Sequence, residues 1–163
     1  MVGTLNQEVA RFNEAVERTA KGLTEDQLVL FHKKIHLDGL RRIVLKTPVL
    51  TGRARGNWQT TIGIPASEEI DRESKRGTDV IGAEGLVKLA FLRAFQVSWI
   101  TNNLPYIEVL ERGLYPKTVK RGTLVPKRRG GSRYEIRSSG GFSKQAPQGM
   151  VAITVAELRL MFP

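Results

Sequence analysis

The sequence predicts an α+β fold in which long N-terminal helices pack on a small antiparallel β-sheet. Apolar residues recur every three or four positions within residues 5–46, which is typical of one face of a helix. Two later segments, 57–64 and 95–101, instead alternate apolar and polar residues, as half-buried strands do. At 163 residues the chain fits one domain of ordinary size with its own core. We therefore predict a single domain over residues 1–163.

Capping patterns divide the N-terminal region into two helices. A Thr-x-x-Gln capping box precedes each of them. The first predicted helix covers residues 5–20. The second begins after Thr24 and runs to about Lys46, where Pro48 ends it. We expect the two helices to form a hairpin or a bent pair.

Short elements complete the middle of the chain. Residues 65–80 are polar and rich in turn-forming residues, which predicts a surface loop. Residues 83–93 allow a short helix. A second short helix is predicted between Pro105 and Gly113, because proline favours a helix start and glycine a helix end.

The C-terminal segment is predicted as a helix or a strand. Apolar residues from Val151 to Phe162 lie at helical spacing, but β-branched residues leave a strand open for 150–155. A helix here would also carry Ile153 and Leu160 on its opposite face. Apolar residues on both faces would indicate that a neighbouring subunit covers the helix.

The positive charge of the chain is concentrated in one segment. The formal net charge is +10 at pH 7. Residues 114–142 have Glu135 as their single acid, and they carry these cations: Lys117, Lys120, Arg121, Lys127, Arg128, Arg129, Arg133 and Arg137. Because the segment is also rich in Gly, Ser and Pro, we expect an extended basic loop or hairpin.

This basic segment has two interpretations. Cations on a flexible backbone suit phosphate contact without sequence reading, and the residues expected to make it are Lys127, Arg128, Arg129 and Arg133. The alternative is contact with an acidic neighbouring subunit. We favour the protein neighbour, because the charge is local and not spread over a face.

His32 and His36 are the chain's two histidines and lie four residues apart on the second predicted helix. This spacing can place two zinc ligands on one helix face. No glutamate follows His32, as a metalloprotease motif requires, and no third ligand is evident. We therefore expect no metal or other cofactor, and a pair of neutral, hydrogen-bonded histidines at a core or subunit boundary.

Enzymatic function is not indicated by the sequence. The chain has no cysteine, its acids are scattered, and no pattern pairs a nucleophile with a base. The stretch TGRARGN at 51–57 lacks the Lys-Ser/Thr of a phosphate-binding loop and precedes a strand. We interpret it as a turn between a helix and a strand. No apolar run is long enough for a membrane span, and we expect a soluble protein.

Three short motifs resemble those of a known family. The first motif, P-V-x-T-G-x-x-R, is present as Pro48, Val49, Thr51, Gly52 and Arg55. The second, N-x-x-P-Y-x-x-x-x-E-x-G, is present as Asn102, Pro105, Tyr106, Glu111 and Gly113, with Asn103 alongside. The third, Q-A-P-x-G-M-V, is present as Gln145, Ala146, Pro147, Gly149, Met150 and Val151. In this order they resemble the neck or tail-completion proteins of long-tailed bacteriophages, the group that includes minor tail protein Z of lambda-like phages.

The resemblance implies a non-enzymatic structural protein of the virion, placed at the head–tail junction and made in the host cytoplasm. It implies an oligomeric ring, six-fold to match the tail, around the DNA channel. The implied partners are a connector or adaptor and a tail terminator or tail tube protein. In this family the second motif leads quickly to the third, so residues 114–142 read as an insertion.

The family motifs also indicate interface residues. We expect contacts with neighbouring subunits or DNA from Thr51, Gly52, Arg53, Arg55, Asn102, Asn103, Tyr106, Glu111, Gln145, Pro147 and Met150. A basic, non-enzymatic DNA-binding module of another class remains the alternative function.

Overall fold

A computed structural model describes residues 24–117, 121–127 and 130–162. The helix predicted over residues 5–20 lies outside these described residues. The fold is α+β, and the described residues form one long helix, several short ones and small antiparallel sheets. No helix in the described ranges is both long and apolar enough to cross a membrane.

The long helix α1 covers Glu25–Lys46. Its start is the predicted capping box, in which Thr24 and Gln27 exchange side-chain and backbone hydrogen bonds. Its end is fixed by Thr47, whose hydroxyl donates to the carbonyl of Ile43 at 2.7 Å and accepts from the indole Nε1 of Trp58 at 2.8 Å. Helix α1 therefore starts and ends at residues whose side chains form hydrogen bonds with free backbone groups.

The remaining helices are short, apart from the last. They are α2 (Arg53–Gly56), α3 (Thr78–Val80) continuing into a π-helix (Ile81–Val87), α4 (Ile107–Arg112) and α5 (Val151–Met161). The C-terminal segment is thus a helix, which decides between the two predicted alternatives. Gly113 ends α4 in the left-handed conformation at φ 67°, as the sequence predicted.

The strands form three antiparallel pairs. They are β1 (Gln59–Ile62) with β2 (Ser98–Thr101), β3 (Thr123–Pro126) with β4 (Ser132–Glu135), and β5 (Ser138–Ser139) with β6 (Phe142–Ser143). The predicted strands 57–64 and 95–101 were therefore too long at their ends. Phe95 lies outside β2 because its φ of 62° is left-handed, a conformation that ends an extended segment.

One core joins these elements. Leu40 and Val44 of α1 lie at its centre with Val80 and Met150, and all four are fully buried. The π-helix approaches α1 closely, since a Cβ on Gly85 would lie 2.5 Å from a methyl carbon of Leu37. Around this core the chain brings the three sequence motifs to one side of the molecule.

The predicted short helix at 83–93 was placed too late, since helix begins at Thr78 inside the predicted loop. The predicted alternation in β1 also fails at its end, because Ile64 is exposed whereas Trp58 and Thr60 are buried. In α5 the most buried residue is Thr154, and Val155 is exposed. Val151 packs against the core and Leu158 approaches Gly39 of α1, so the predicted apolar stripe packs in part and Val155 departs from it.

Candidate functional site

A groove of about 450 Å³ lies among the described residues. Residues 48–54 form one wall, Leu110 of α4 and Tyr106 just before it line the floor, and the base of the β3–β4 hairpin forms the other wall. We call this cavity the groove; its remaining lining residues are Tyr115, Pro116, Gly122, Thr123, Arg137, Ser138 and Ser143. Parts of the first and second motifs therefore face one cavity.

The groove wall at 48–54 has a fixed backbone. Gly52 has a φ of 104°, and a Cβ there would lie 2.7 Å from the carbonyl carbon of Ser74. Its carbonyl accepts from the backbone nitrogens of Ser74 at 3.1 Å and Gly56 at 2.8 Å. A side chain at this position would collide with backbone, so the glycine is required for a structural reason.

Arg53 and Arg55 have different environments. Arg53 is exposed at the groove and forms an ion pair with Glu69 at 3.0 Å. Arg55 turns inward and donates to the carbonyls of Leu45, Thr47 and Lys75 at 3.1, 2.8 and 2.7 Å. Burial lowers the pKa of Arg55 below its ordinary value. Arg55 thus fastens the end of α1 to the loop before α3, whereas Arg53 is available to a ligand in the groove.

The asparagines of the second motif hold neighbouring loops. Asn102 donates to the carbonyl of Ala54 at 2.8 Å, which connects the second motif to the first. Asn103 donates to the carbonyls of Ala66 and Glu68, each at 2.9 Å. These side chains position the groove wall and the 65–73 loop.

Glu111 joins the second motif to the third. Its carboxylate accepts from the backbone nitrogens of Met150, Val151 and Ala152 at 2.7, 2.9 and 2.9 Å. This places a negative charge at the positive end of α5. Gly149 is required next to it, because a Cβ there would lie 2.5 Å from the Glu111 carbonyl oxygen.

Gln145 joins the third motif to the first. Its Oε1 accepts from the Val49 nitrogen at 2.7 Å, and its Nε2 donates to the Val49 carbonyl at 3.2 Å. Arg137 donates to the same carbonyl at 2.6 Å. Pro147 is exposed and pairs in a bridge with Gly149. The three motifs are therefore bonded to one another as one structural unit.

The groove offers hydroxyl groups, positive charge and apolar surface to a ligand. Tyr106, Thr51 and Ser138 supply hydroxyls, Arg53 and Arg137 supply positive charge, and the floor is mainly apolar. Burial raises the pKa of the Tyr106 phenol, against the lowering effect of the nearby Arg53 charge. The phenol is therefore neutral at neutral pH and able to donate. This set suits an extended peptide with apolar side chains and an acidic group.

A serine between the two histidines was missed by the sequence reasoning. Ser98 Oγ lies 2.7 Å from His32 Nε2 and 2.7 Å from His36 Nδ1, while His36 Nε2 lies 3.0 Å from Thr60 Oγ1. The single Ser98 proton can serve one ring, so the other ring donates to Ser98. Burial and the charge of His32 lower the pKa of His36 to about 4. The predicted hydrogen bonding of the two histidines is confirmed, and the lowered pKa keeps His36 neutral at pH 7.

Ser98 and each histidine ring lie at the distance expected of a nucleophile and its base. Among the described residues no carboxylate bonds to either ring, and the second partner of the His36 ring is the Thr60 hydroxyl. In the same part of the chain no group of three or more His, Cys, Asp or Glu side chains is placed to hold a metal ion. These hydrogen bonds connect helix α1 to the β1–β2 sheet.

The basic segment forms a hairpin of β3 and β4. Lys127 and Arg133 are exposed on it, and Arg133 lies 3.8 Å from Glu135. The predicted contact residues Arg128 and Arg129 lie outside the described residues. The hairpin therefore presents charge to solvent, with its base attached to the groove.

Comparison of the chain with models of protein families, with curated proteins and with solved structures found no match.

Proposed function

We propose that this chain is a structural protein of a bacteriophage neck, which completes the tail and joins it to the head. It would act as an oligomeric ring around the DNA channel, without catalysis. The observation that carries the proposal is the convergence of the three motifs. Residues far apart in sequence bond to one another through Asn102, Glu111 and Gln145.

The groove is the proposed docking site for a neck partner. Its fixed wall at 48–54 and its apolar floor would accept an extended segment of a connector, an adaptor, a tail terminator or a tail tube protein. Arg53 would pair with an acidic side chain of that segment. Because the wall is held by bonds within the subunit, the groove needs little rearrangement to bind.

We further propose that residues 114–142 are an insertion into the core that this chain would share with other neck proteins. Its base contributes Gly122, Thr123 and Arg137 to the groove. Its hairpin extends from that base. The insertion would therefore add contacts that a shorter relative lacks.

A phage from which this protein is removed tests the proposal. Electron microscopy of lysates should show DNA-filled heads and separate tails, with few joined particles. Supplying the chain from a plasmid should restore joining and infectivity. Complete, infectious particles in its absence would contradict a neck function.

A DNA-binding module is the second candidate, favoured by the charge of the hairpin segment. Neutralising Lys127, Arg128, Arg129 and Arg133 should then weaken duplex binding and flatten its dependence on salt. The measurement is the binding constant at several salt concentrations for the two proteins. Duplex binding unchanged by the four substitutions would reject this candidate.

A further inference from the structure

We propose that the β3–β4 hairpin of one copy packs on an acidic patch of a second copy. The patch combines apolar and acidic residues beside the outer face of the β1–β2 sheet: Ile64, Glu68, Glu69, Asp71, Val97 and Trp99. The contact rests on the proposed function, since it supplies the interface that a ring requires.

The patch is one continuous surface. Trp99 pairs with Thr61 across the two strands, so both point away from the face that packs on α1. The indole of Trp99 donates to the Gly63 carbonyl at 2.8 Å, which places Ile64 beside it. Gln59 and Asn103 hold the Glu68 carbonyl at 2.6 and 2.9 Å. The acidic loop is therefore fixed along the edge of an apolar face.

The patch has a net negative charge. Residues 68–73 carry Glu68, Glu69, Asp71 and Glu73, all exposed, with one cation among them. That cation, Arg72, turns inward to the Gly56 and Trp58 carbonyls and to Glu84. Its charge is therefore directed into the subunit. Glu69 pairs with Arg53 at 3.0 Å, so Glu68, Asp71 and Glu73 give the outer side of the loop its acidic character.

The hairpin has the complementary composition. Leu124 and Tyr134 lie opposite each other on one face, 53% and 49% exposed, and the Arg121 guanidinium lies 4.3 Å from the centre of the Tyr134 ring. Arg121 is the cation of this face, and Lys127 is exposed at the end of β3, whereas Arg133 points to the opposite face beside Glu135. An isolated two-stranded hairpin is at best marginally stable in water. A partner that covers this apolar face and neutralises its cations would stabilise it.

The two surfaces do not cover each other within one chain. Ile64 is 80% exposed and Val97 is 56% exposed, while the hairpin face is itself open. Their contact must therefore form between copies. Since the surfaces differ, the association is head to tail, which closes into a ring or continues as a filament.

Paired charge reversals test this contact in the purified full-length chain. One variant reverses the patch, Glu68→Lys with Asp71→Lys, and the other reverses the hairpin, Arg121→Glu with Lys127→Glu. Sedimentation analysis should show an oligomer for the wild type and at least a tenfold weaker self-association for each variant. The control is Arg41→Glu with Arg159→Glu, two exposed helix positions away from both surfaces, which should leave the mass unchanged.

An equimolar mixture of the two variants gives the decisive result. In an alternating assembly half of the interfaces join two unreversed surfaces and the other half join two reversed surfaces. Every interface then pairs opposite charges, so the oligomer should return with alternating composition. Wild-type protein that stays monomeric at the highest concentration overturns the contact, and so does a mixture that stays dissociated. Loss of duplex binding by the hairpin variant without a change in mass would assign the hairpin to DNA instead.

The outcomes separate this contact from the neck function. A wild-type oligomer that survives both reversals rejects the contact but leaves a ring possible. Mixture rescue, combined with infectious phage in the absence of the protein, keeps the contact and rejects the neck function.

Discussion

Glu111 caps helix α5 from a distance in sequence, with its Oε2 2.7 Å from the backbone nitrogen of Met150. The same carboxylate bonds to the next two backbone nitrogens, Val151 and Ala152. These groups are the free donors at the start of a helix. Met150 is fully buried in the core, so this one carboxylate fixes both the start of α5 and its position on α1.

Replacing Glu111 with alanine should destabilise the fold. The substitution leaves backbone donors without a partner and removes a charge that favours the helix dipole. Hydrogen bonds to charged groups contribute about 1.5–3 kcal/mol, so we expect a loss of about 2–3 kcal/mol in the free energy of unfolding, measured in urea.

Glu108→Ala is the matched control, since Glu108 lies on the same helix and forms an exposed pair with Arg112 at 3.2 Å. It should change stability by less than about 0.5 kcal/mol. Equal losses for the two variants would mean that the cap contributes nothing beyond an exposed charge.

Arg72 and Glu84 form an ion pair on which a second prediction depends. Glu84 is 4% exposed and accepts from Arg72 at 3.1 Å, Lys88 at 2.6 Å and the Thr60 nitrogen at 2.9 Å. Burial alone would raise the pKa of Glu84, but these bonds outweigh it and lower the pKa overall. Arg72→Met should therefore cost about 3–5 kcal/mol, because it leaves a buried carboxylate with less compensation.

The double variant Arg72→Met with Glu84→Gln separates charge from packing. Removing the buried charge should recover part of the loss, as measured by urea unfolding in a double-mutant cycle. If the second substitution adds its own full cost, the pair is not coupled and the prediction is wrong.

Local signals allowed part of the fold to be predicted from sequence. The Thr24 capping box and the Gly113 stop each depend on residues a few positions apart. Such patterns set local backbone geometry directly. The α+β class followed from the change in apolar periodicity between the N-terminal region and the two predicted strands.

Long-range contacts account for what could not be predicted. Neither the Glu111 cap on α5 nor the Ser98 link between the histidines has a local pattern. The π-helix follows from the close approach of Gly85 to Leu37, which only packing determines. The groove likewise arises where distant motifs meet, so motif spacing identified its residues without giving its shape.

The pKa of His36 predicts a dependence of stability on pH. Its folded value of about 4 lies below the ordinary unfolded value of about 6.5. Between these values the unfolded chain binds more protons, so stability falls as pH decreases from about 6.5 toward 4. Between pH 7 and pH 5 we expect a loss of about 2 kcal/mol from this residue.

His36→Gln should remove most of that slope while it lowers stability at pH 7. The range above pH 5 is chosen because carboxylates such as Glu84, with a lowered pKa, lose their contribution only at more acid pH. The measurement is the free energy of unfolding in urea at several pH values. An unchanged slope in the variant would assign the pH dependence to other groups.

Arg53 and Arg55 allow the charge at the groove to be tested separately from the stability of the fold. Arg53 forms an exposed ion pair with Glu69, so Arg53→Glu should change stability by less than about 1 kcal/mol. Arg55 bonds to three carbonyls, so Arg55→Gln should cost at least about 2 kcal/mol. In phage complementation Arg53→Glu should yield folded protein but few joined particles, because it reverses the charge at the groove. Normal joining with Arg53→Glu would show that the groove charge does not recruit a partner, and would leave the motif a purely structural role.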